Sequence, residues 1–220
     1  MHGFTRWLRA FTAAITLSLV SAGAFAQAPV AGKDYVPVTP PQPTENAKKV
    51  EVIEFFSYAC PHCATLEGPL EAWLKKKPAD VEFKRVPTVF HPSWAPYAQL
   101  YYTLEAMNLV DKLHGEVFKA LHQQNMKFQD AKAMADWAAS KGVDRKKFTD
   151  AYNSFAVQSR TKLSNDMSRR YAVEFTPAIV VNGRFLTGPS MTSTGNNVDF
   201  NRFFAVLDQL IATSRKGGGK

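Results

Sequence analysis

The spacing of hydrophobic positions changes several times along the chain, and each change predicts a different element. Residues 51–57 are rich in β-branched and aromatic side chains, which is typical of a strand covered on both faces. Apolar residues then recur at helical spacing over residues 61–77, with a bend expected at Gly68-Pro69. A second strand is predicted at residues 81–86, and the helix between the two strands is long enough for a parallel, right-handed crossover.

The middle of the chain has helical spacing throughout, and the β pattern returns only near the C-terminus. Helices are predicted over residues 97–107, 111–124, 130–140 and 144–171. The apolar run at residues 178–181, the turn pair Asn182-Gly183 and residues 184–186 together predict a hairpin. A last helix is expected over residues 198–214.

These elements predict an α/β fold in which a helical segment is inserted into a sheet-containing unit. The expected organisation is a cleaved leader at 1–26, an extended proline-rich lead-in at 27–49, one α/β unit built from 50–90 and 172–214, an inserted helical domain at 91–171 and a disordered tail at 215–220. Within the lead-in, one short edge strand is expected at residues 34–38.

The first 26 residues have the pattern of an export signal. Arg6 and Arg9 occur without any acidic residue, an apolar stretch covers residues 10–20, and small residues lead to Ala26. The apolar stretch is shorter than the roughly 20 residues of a transmembrane helix. Cleavage after Ala26 is therefore expected, with a retained anchor as the alternative. We expect a periplasmic protein, with full secretion as the second interpretation.

The charge of the chain does not indicate a nucleic-acid partner. The 27 Lys and Arg residues, less Arg6 and Arg9 of the leader, exceed the 19 Asp and Glu residues by about 6. The two dense basic runs, at residues 75–77 and 145–147, lie at predicted helix ends and are typical of solvated faces. No recognition motif accompanies them, so no binding to nucleic acid is expected.

Both cysteines of the chain lie in one motif, Cys60-Pro61-His62-Cys63. A disulfide within the molecule must close there, and so small a loop contributes only about 2 kcal/mol in the chain-entropy model. Disulfides persist outside the cytosol, so the pair is predicted to be a redox centre rather than a structural bridge. The alternatives are an inert disulfide, two idle thiols or half of a metal site.

A metal site is not favoured, because zinc would need two further ligands. The remaining histidines offer no paired spacing: His2, His91, His114 and His122. We therefore expect no metal and no bound cofactor beyond the redox-active disulfide.

The position of the motif predicts that its two thiols differ. A strand followed by a turn and a helix places Cys60 at the helix N-terminus, where unpaired N–H groups favour a thiolate. Pro61 suits the first helical position, and His62 adds a donor that can become cationic. Cys60 is therefore expected to exchange with substrate and Cys63, one turn further on, to resolve the mixed disulfide.

With these elements placed, the chain resembles the DsbA family of periplasmic thiol:disulfide oxidoreductases. The resemblance is carried by residues 54–57 and by the motif that ends at Cys63, and it covers essentially the whole mature chain. It implies a thioredoxin fold with an inserted helical domain, and an enzyme that donates the Cys60–Cys63 disulfide to unfolded, reduced exported proteins. It also implies reoxidation by a DsbB-like partner in the inner membrane. We expect a monomer.

Two alternatives remain open at this point. One is a disulfide reductase or isomerase on the same fold, kept reduced by a different donor. The other is a holdase that binds unfolded chains and in which the cysteines are incidental.

Three charged residues are candidates for tuning the thiols. The sequence alone leaves Glu54 equally compatible with a charge at a sheet end and with a buried acid, whereas the resemblance implies a buried acid that exchanges a proton with Cys63. Glu67 lies four residues after Cys63, and Arg85 lies in the next strand. A surface salt bridge is the favoured interpretation for Glu67 and Arg85, and redox tuning is the second.

Thr176-Pro177 precedes the first strand of the predicted hairpin. An X-Pro bond taken alone is cis in only about 5–6% of cases, which favours trans. The resemblance implies the opposite, a cis-proline at Pro177 beside the active site, with the backbone of Thr176 available to pair with an extended substrate peptide.

Overall fold

The computed structural model describes residues 27–128, 130–193 and 197–216. The predicted leader and residues 217–220 of the predicted tail lie outside the described residues. Among the residues described, no helix combines the length and the apolar character needed to cross a bilayer.

One mixed five-stranded sheet forms the centre of the molecule, in the order β1-β5-β4-β2-β3. Its strands are β1 (Val36–Pro37), β2 (Val50–Phe56), β3 (Val81–Pro87), β4 (Ala178–Val181) and β5 (Phe185–Thr187). β2 pairs with β3 in parallel and with β4 antiparallel. The predicted parallel crossover is confirmed, and all residues of β2 are buried because the strand has a neighbour on each side and a layer on each face.

Eight α-helices and one 3-10 turn (Pro92–Trp94) cover the described parts of the chain. The helices are α1 (Pro61–Leu74), α2 (Ala95–Ala106), α3 (Val110–His122), α4 (Ala131–Ser140), α5 (Arg145–Tyr152), α6 (Phe155–Arg170), α7 (Pro189–Thr192) and α8 (Phe200–Lys216). Helices α2 to α6 lie between β3 and β4 in the sequence, which agrees with the predicted helical insertion. The short helix α7 was not predicted.

The single helix predicted over residues 144–171 is wrong, because two helices occupy this segment. Asn153 ends α5, and Ser154 adopts an extended conformation in which its side chain accepts a hydrogen bond from the N–H of Val157. Serine is favoured at such a helix start because its side chain supplies the acceptor that the first turn lacks. The apolar periodicity continues across the break, so periodicity alone did not reveal it.

The predicted start of the tail is also wrong, because α8 continues through Arg215 and Lys216. The guanidinium of Arg215 lies 2.6 Å from Oδ2 of Asp80, which precedes β3. This ion pair links the last turn of α8 to the edge of the sheet. By contrast, the predicted hairpin is confirmed, and Asn182 and Gly183 at its turn have φ values of 51° and 64°, a conformation that favours Asn and Gly.

Three apolar clusters pack around the sheet. One lies between the sheet, α1 and α8 and includes Val52, Leu66 and Leu207. A second lies on the opposite face and includes Ile53 and Phe55. The third fills the helical insertion and also contains Phe56, Tyr58 and both cysteines. The cysteine motif therefore lies where the helical insertion packs against the sheet unit.

Candidate active site

Cys60 is the residue from which α1 starts. It has an extended conformation (φ −88°, ψ 117°), and Pro61 follows as the first helical residue. The backbone N–H of Cys60 donates to the carbonyl of Ser57 at 3.0 Å, which fixes the turn that leads out of β2. The sulfur of Cys60 thus occupies the place where a capping side chain would accept N–H groups.

The pKa values of the two thiols are shifted in opposite directions. Hydrogen bonding from the Cys63 thiol is the largest cause that lowers the pKa of Cys60 to about 5, with further hydrogen bonds from the side chain of Thr176 and from the backbone N–H groups of Cys63 and His62. Burial raises the pKa of Cys63 well above its ordinary value. The relative exposures agree with these roles, since Cys60 is 6% exposed and Cys63 is 1% exposed.

Pro61 and His62 are both exposed at the rim of the site. His62 contributes its backbone N–H to the stabilisation of the Cys60 thiolate. A contribution from its ring stays a prediction.

Glu54 is fully buried in the middle of β2, as the family resemblance implied. Burial raises the pKa of its carboxyl group to about 7, although the positive charge of Arg85 acts in the opposite direction. The parallel register aligns Glu54 with Arg85 of β3, and aligned residues of neighbouring strands share one face of the sheet. Nε of Arg85 accordingly donates to Oε2 of Glu54 at 3.1 Å.

The interpretation of Glu67 and Arg85 as a surface salt bridge is wrong. The side chains of Arg85 and Glu67 are only 10% and 12% exposed, and Arg85 also lies 2.7 Å from the half-exposed Glu71. Glu67 and Glu71 are one turn apart on α1, so both face the strand that carries Arg85. The guanidinium is therefore shared by three carboxyl groups, with Glu67 at 3.6 Å and Glu54 at 3.1 Å.

Two residues of the site were missed from the sequence, Tyr58 and His114. The Tyr58 hydroxyl lies 2.7 Å from Nδ1 of His114, and Nε2 of His114 lies 3.3 Å from Oε2 of Glu67. A signal for His114 was available, because it shares one face of α3 with the apolar residues Val117 and Phe118 and is buried with them. What it contacts there depends on the packing of α3 against α1, which no local pattern encodes.

The Thr176-Pro177 bond is cis, which confirms the expectation drawn from the resemblance. The carbonyl oxygen of Thr176 lies 3.5 Å from Sγ of Cys60, so the segment before β4 contacts the reactive sulfur. A groove of about 310 Å³ opens beside it, lined by His62, Thr65, Thr176, Pro177, Pro189 and Phe200 among others. The main-chain carbonyl of Thr176 and an apolar wall thus flank Cys60.

No cluster of three or more His, Cys, Asp or Glu side chains suited to a metal ion occurs among residues 27–128, 130–193 and 197–216. The chemistry that the site offers is that of its two thiols. Cys60 and Cys63 are both present as free thiols in the structure.

Known proteins match this chain over most of its length. The family model of the DSBA-like thioredoxin domain matches residues 51–194. The thiol:disulfide interchange protein DsbA of Bordetella parapertussis is 42% identical over 213 residues, covering 97% of this chain and 98% of that protein. The DsbA of Pseudomonas aeruginosa is 39% identical over 168 residues, covering 76% and 80%.

Solved structures agree with these matches. The crystal structure of Pseudomonas aeruginosa DsbA superposes with a TM-score of 0.80 at 35% identity and covers 87% of this chain and 97% of that one. The predicted thioredoxin fold with its helical insertion is confirmed, and so is the prediction of an oxidoreductase with a redox-active Cys60–Cys63 pair. The chain belongs to the DsbA family of thiol:disulfide oxidoreductases.

Proposed function

We propose that this chain is the oxidising member of a periplasmic pathway and donates the Cys60–Cys63 disulfide to reduced, newly exported proteins. The observation that carries the proposal is the opposite acidity of the two thiols at the start of α1. A thiolate that is stabilised in the reduced protein favours the dithiol over the disulfide, which makes the oxidised protein a strong oxidant. The alternatives of a reductase and a holdase are not favoured by the relatives.

The exchange takes place in two displacements at sulfur. A substrate thiolate attacks Sγ of Cys60, the Cys60–Cys63 bond breaks, and the sulfur of Cys63 leaves and takes up a proton. The second thiolate of the substrate then attacks the substrate sulfur of the mixed disulfide, and Cys60 leaves as a thiolate. The substrate loses two electrons and forms its disulfide, while the chain gains the two electrons and one proton.

We propose that Glu54 exchanges a proton with Cys63 during the reaction. Its raised pKa lets it hold or release a proton near neutral pH, and its charge is among the causes that raise the pKa of Cys63. A carboxyl group with a pKa near the working pH is suited to proton transfer in either direction. Arg85 and Glu67 set the charge around Glu54, which is the tuning role that we propose for them.

The substrate segment is bound beside Thr176 and Pro177 in this proposal. The groove next to these residues is apolar on one side, and the backbone of Thr176 faces the reactive sulfur. An extended peptide that pairs with this backbone is held without regard to its side chains, because main-chain groups are common to all sequences. Such binding suits an enzyme that acts on many different unfolded clients.

Location and partners complete the proposal. The leader pattern of residues 1–26 supports export to the periplasm, where a disulfide persists. Each turnover leaves the pair reduced, so a second protein must take up the two electrons. We propose a DsbB-like reoxidant in the inner membrane and a monomeric chain.

Equilibration with glutathione buffers tests the direction of the reaction. The reduced fraction of the Cys60–Cys63 pair is followed as the buffer is made more oxidising, and we expect a potential well above the roughly −270 mV of thioredoxin. A potential near that of thioredoxin would instead indicate a reductase.

Single-cysteine variants test the order of the two sulfurs. Cys63→Ala, whose Cys60 thiolate attacks a disulfide-bonded client peptide, is expected to accumulate a mixed disulfide that mass spectrometry detects. Cys60→Ser is expected to form none and to lose turnover, whereas a holdase would keep its activity in both variants.

A further inference from the structure

His114 joins the helical insertion to the acidic cluster of the sheet unit. It is 3% exposed and belongs to α3, whereas Tyr58 and Glu67 belong to the segment around the cysteine motif. Its two ring nitrogens contact these two residues, at 2.7 Å and 3.3 Å. Nε2 of His114 and Oε2 of Glu67 are both buried, and neither makes a hydrogen bond to any other described residue. The guanidinium of Arg85 lies 3.6 Å from the same oxygen of Glu67, so Nε2 of His114 is the nearer donor.

The direction of this contact follows from the chemistry of the groups. An ionised carboxylate only accepts hydrogen bonds, so Nε2 of His114 must carry a proton when it faces the Glu67 carboxylate. Nδ1 is then the acceptor of a neutral ring, and the Tyr58 hydroxyl donates to it. Burial lowers the pKa of His114, which agrees with a neutral ring. The Glu67 carboxylate thus fixes the tautomer, and the Tyr58 hydroxyl satisfies the nitrogen that is left as an acceptor.

The contact decides which of two buried carboxyl groups is ionised. Burial acts to raise the pKa of Glu67, but the hydrogen bond from His114 and the positive charge of Arg85 act against burial, and the pKa lies below its ordinary value. Within the described part of the chain, Glu54 has no such donor besides the shared Arg85, and its pKa is raised to about 7. The charge of Glu67 is itself among the causes that raise the pKa of Glu54. Without His114, Glu67 would lose its additional donor, and the ionised forms of both carboxyl groups would depend on the Arg85 guanidinium.

Other titratable groups also lie around His114. Around His114 lie Tyr58 before α1, Glu67 and Glu71 on α1, Arg85 on β3 and Tyr101 on α2. Asp111, Lys112 and Glu116 of its own helix line a pocket that His114 and Glu67 also line. Of all these groups, only Glu67 lies within hydrogen-bond reach of Nε2.

We propose that His114 is a positioning residue of thiol exchange: it holds Glu67 ionised through a hydrogen bond from Nε2, while Nδ1 accepts from the Tyr58 hydroxyl, and so leaves Glu54 as the buried acid that exchanges a proton with Cys63. The inference rests on the proposed function for its last step only. Its first part, the division of charge between Glu67 and Glu54, is a property of the folded protein. The helical insertion then contributes directly to the chemistry of the cysteine pair.

Titration of the side-chain carboxyl groups tests the first part. Reduced protein labelled at the glutamate carboxyl carbon is titrated by carbon NMR, and the Glu54→Gln and Glu67→Gln variants assign the two signals. His114→Leu removes both ring nitrogens, and we expect the midpoint of Glu67 to rise and that of Glu54 to fall, each by about one pH unit. His114→Gln keeps an amide donor near the position of Nε2 and is expected to restore both midpoints in large part.

Two further variants complete the design. Tyr58→Phe keeps the ring and removes only the hydroxyl, so it serves if His114→Leu folds poorly, and we expect smaller shifts in the same directions. His122→Gln is the matched control, because His122 lies two turns further along α3 and bonds the carbonyl of Tyr58 rather than a carboxylate. It is expected to leave both midpoints unchanged. The proposal would be overturned if the midpoints of Glu54 and Glu67 did not change in His114→Leu. If that variant folds poorly, unchanged midpoints in Tyr58→Phe would overturn it.

The pH profile of client oxidation tests the last step. In His114→Leu, the limb of the profile that follows Glu54 is expected to move to lower pH together with the NMR midpoint, and His114→Gln to move it back. Midpoints that move while the profile stays fixed would refute the link to exchange. A wild-type chain that oxidises no client would refute the proposed function instead, and the NMR midpoints would still decide the role of His114.

Discussion

Nε of Arg85 lies 3.1 Å from Oε2 of Glu54, yet the pKa of this buried carboxyl group is raised to about 7 rather than lowered. Burial outweighs the ion pair, because Arg85 divides its charge among three carboxyl groups. An acid in this position costs folding free energy whenever it is ionised. Its retention in the centre of the sheet therefore favours a chemical role over a structural one.

Replacing Glu54 is expected to stabilise the fold in a pH-dependent way. Between the unfolded pKa of about 4.5 and the folded pKa of about 7, the folded state holds a proton that the unfolded state releases, so the wild type loses stability as pH rises. The full loss, about 3 kcal/mol, is reached above pH 7. Glu54→Gln removes it and should unfold at higher urea than wild type at about pH 8 but not at about pH 4.

A control variant shows whether the stabilisation requires a buried carboxyl group or follows from the removal of any glutamate. Glu174 is exposed, and Glu174→Gln is expected to unfold like wild type at both pH values. Equal stabilisation by Glu54→Gln at both pH values would show that burial does not raise the pKa of Glu54.

The acidity of Cys60 is expected to depend on Cys63. The Cys63 thiol is the largest cause of the lowered pKa of about 5, so Cys63→Ala should raise the Cys60 midpoint by about one unit. Cys63→Ser retains a hydroxyl donor at nearly the same place and should recover part of the shift. Ultraviolet absorbance of the thiolate, followed against pH in the reduced proteins, measures all three midpoints. If the Cys60 midpoint is the same in all three proteins, the lowered pKa of Cys60 comes entirely from its position at the start of α1.

Gly188 is expected to be essential for the substrate groove. A Cβ at this position would lie 2.8 Å from the carbonyl oxygen of Pro177 and 2.7 Å from the ring of Phe175, so Gly188→Ala must displace the segment that carries Thr176. We expect kcat/KM for a peptide dithiol to fall by about tenfold or more, since small displacements at a reacting site are costly. Gly68→Ala is the control, because a Cβ there meets nothing within 4 Å. It should leave the kinetics unchanged.

The sequence predicted those parts of the fold that local patterns encode. The strand that ends at Phe56, the helix that begins at Pro61 and the Asn182-Gly183 turn each carry a signal within a few residues. The break at Ser154 was missed because the apolar periodicity on its two sides is continuous, although a serine before a helical run is itself a start signal.

The acidic cluster could not be predicted in the same way. Glu54 and Arg85 meet only because β2 and β3 pair in one particular register, and a shift of one residue would place them on opposite faces. His114 reaches Glu67 through the packing of α3 on α1, which depends on the shapes of many side chains. Such contacts join distant parts of the chain, and their charges become strongly coupled only when burial excludes water.

Sγ of Cys60 lies 3.5 Å from the carbonyl of Thr176, although the two residues are 116 positions apart. In the proposed export to the periplasm, a chain that emerges from its N-terminus would expose both thiols before Thr176 and β4 arrive to complete the site. During that interval it is an unfolded polypeptide with two reduced cysteines, which is the kind of client that mature copies oxidise. Under the proposed function, newly made molecules would therefore be substrates of mature copies, and the oxidised population would propagate itself from one generation of chains to the next.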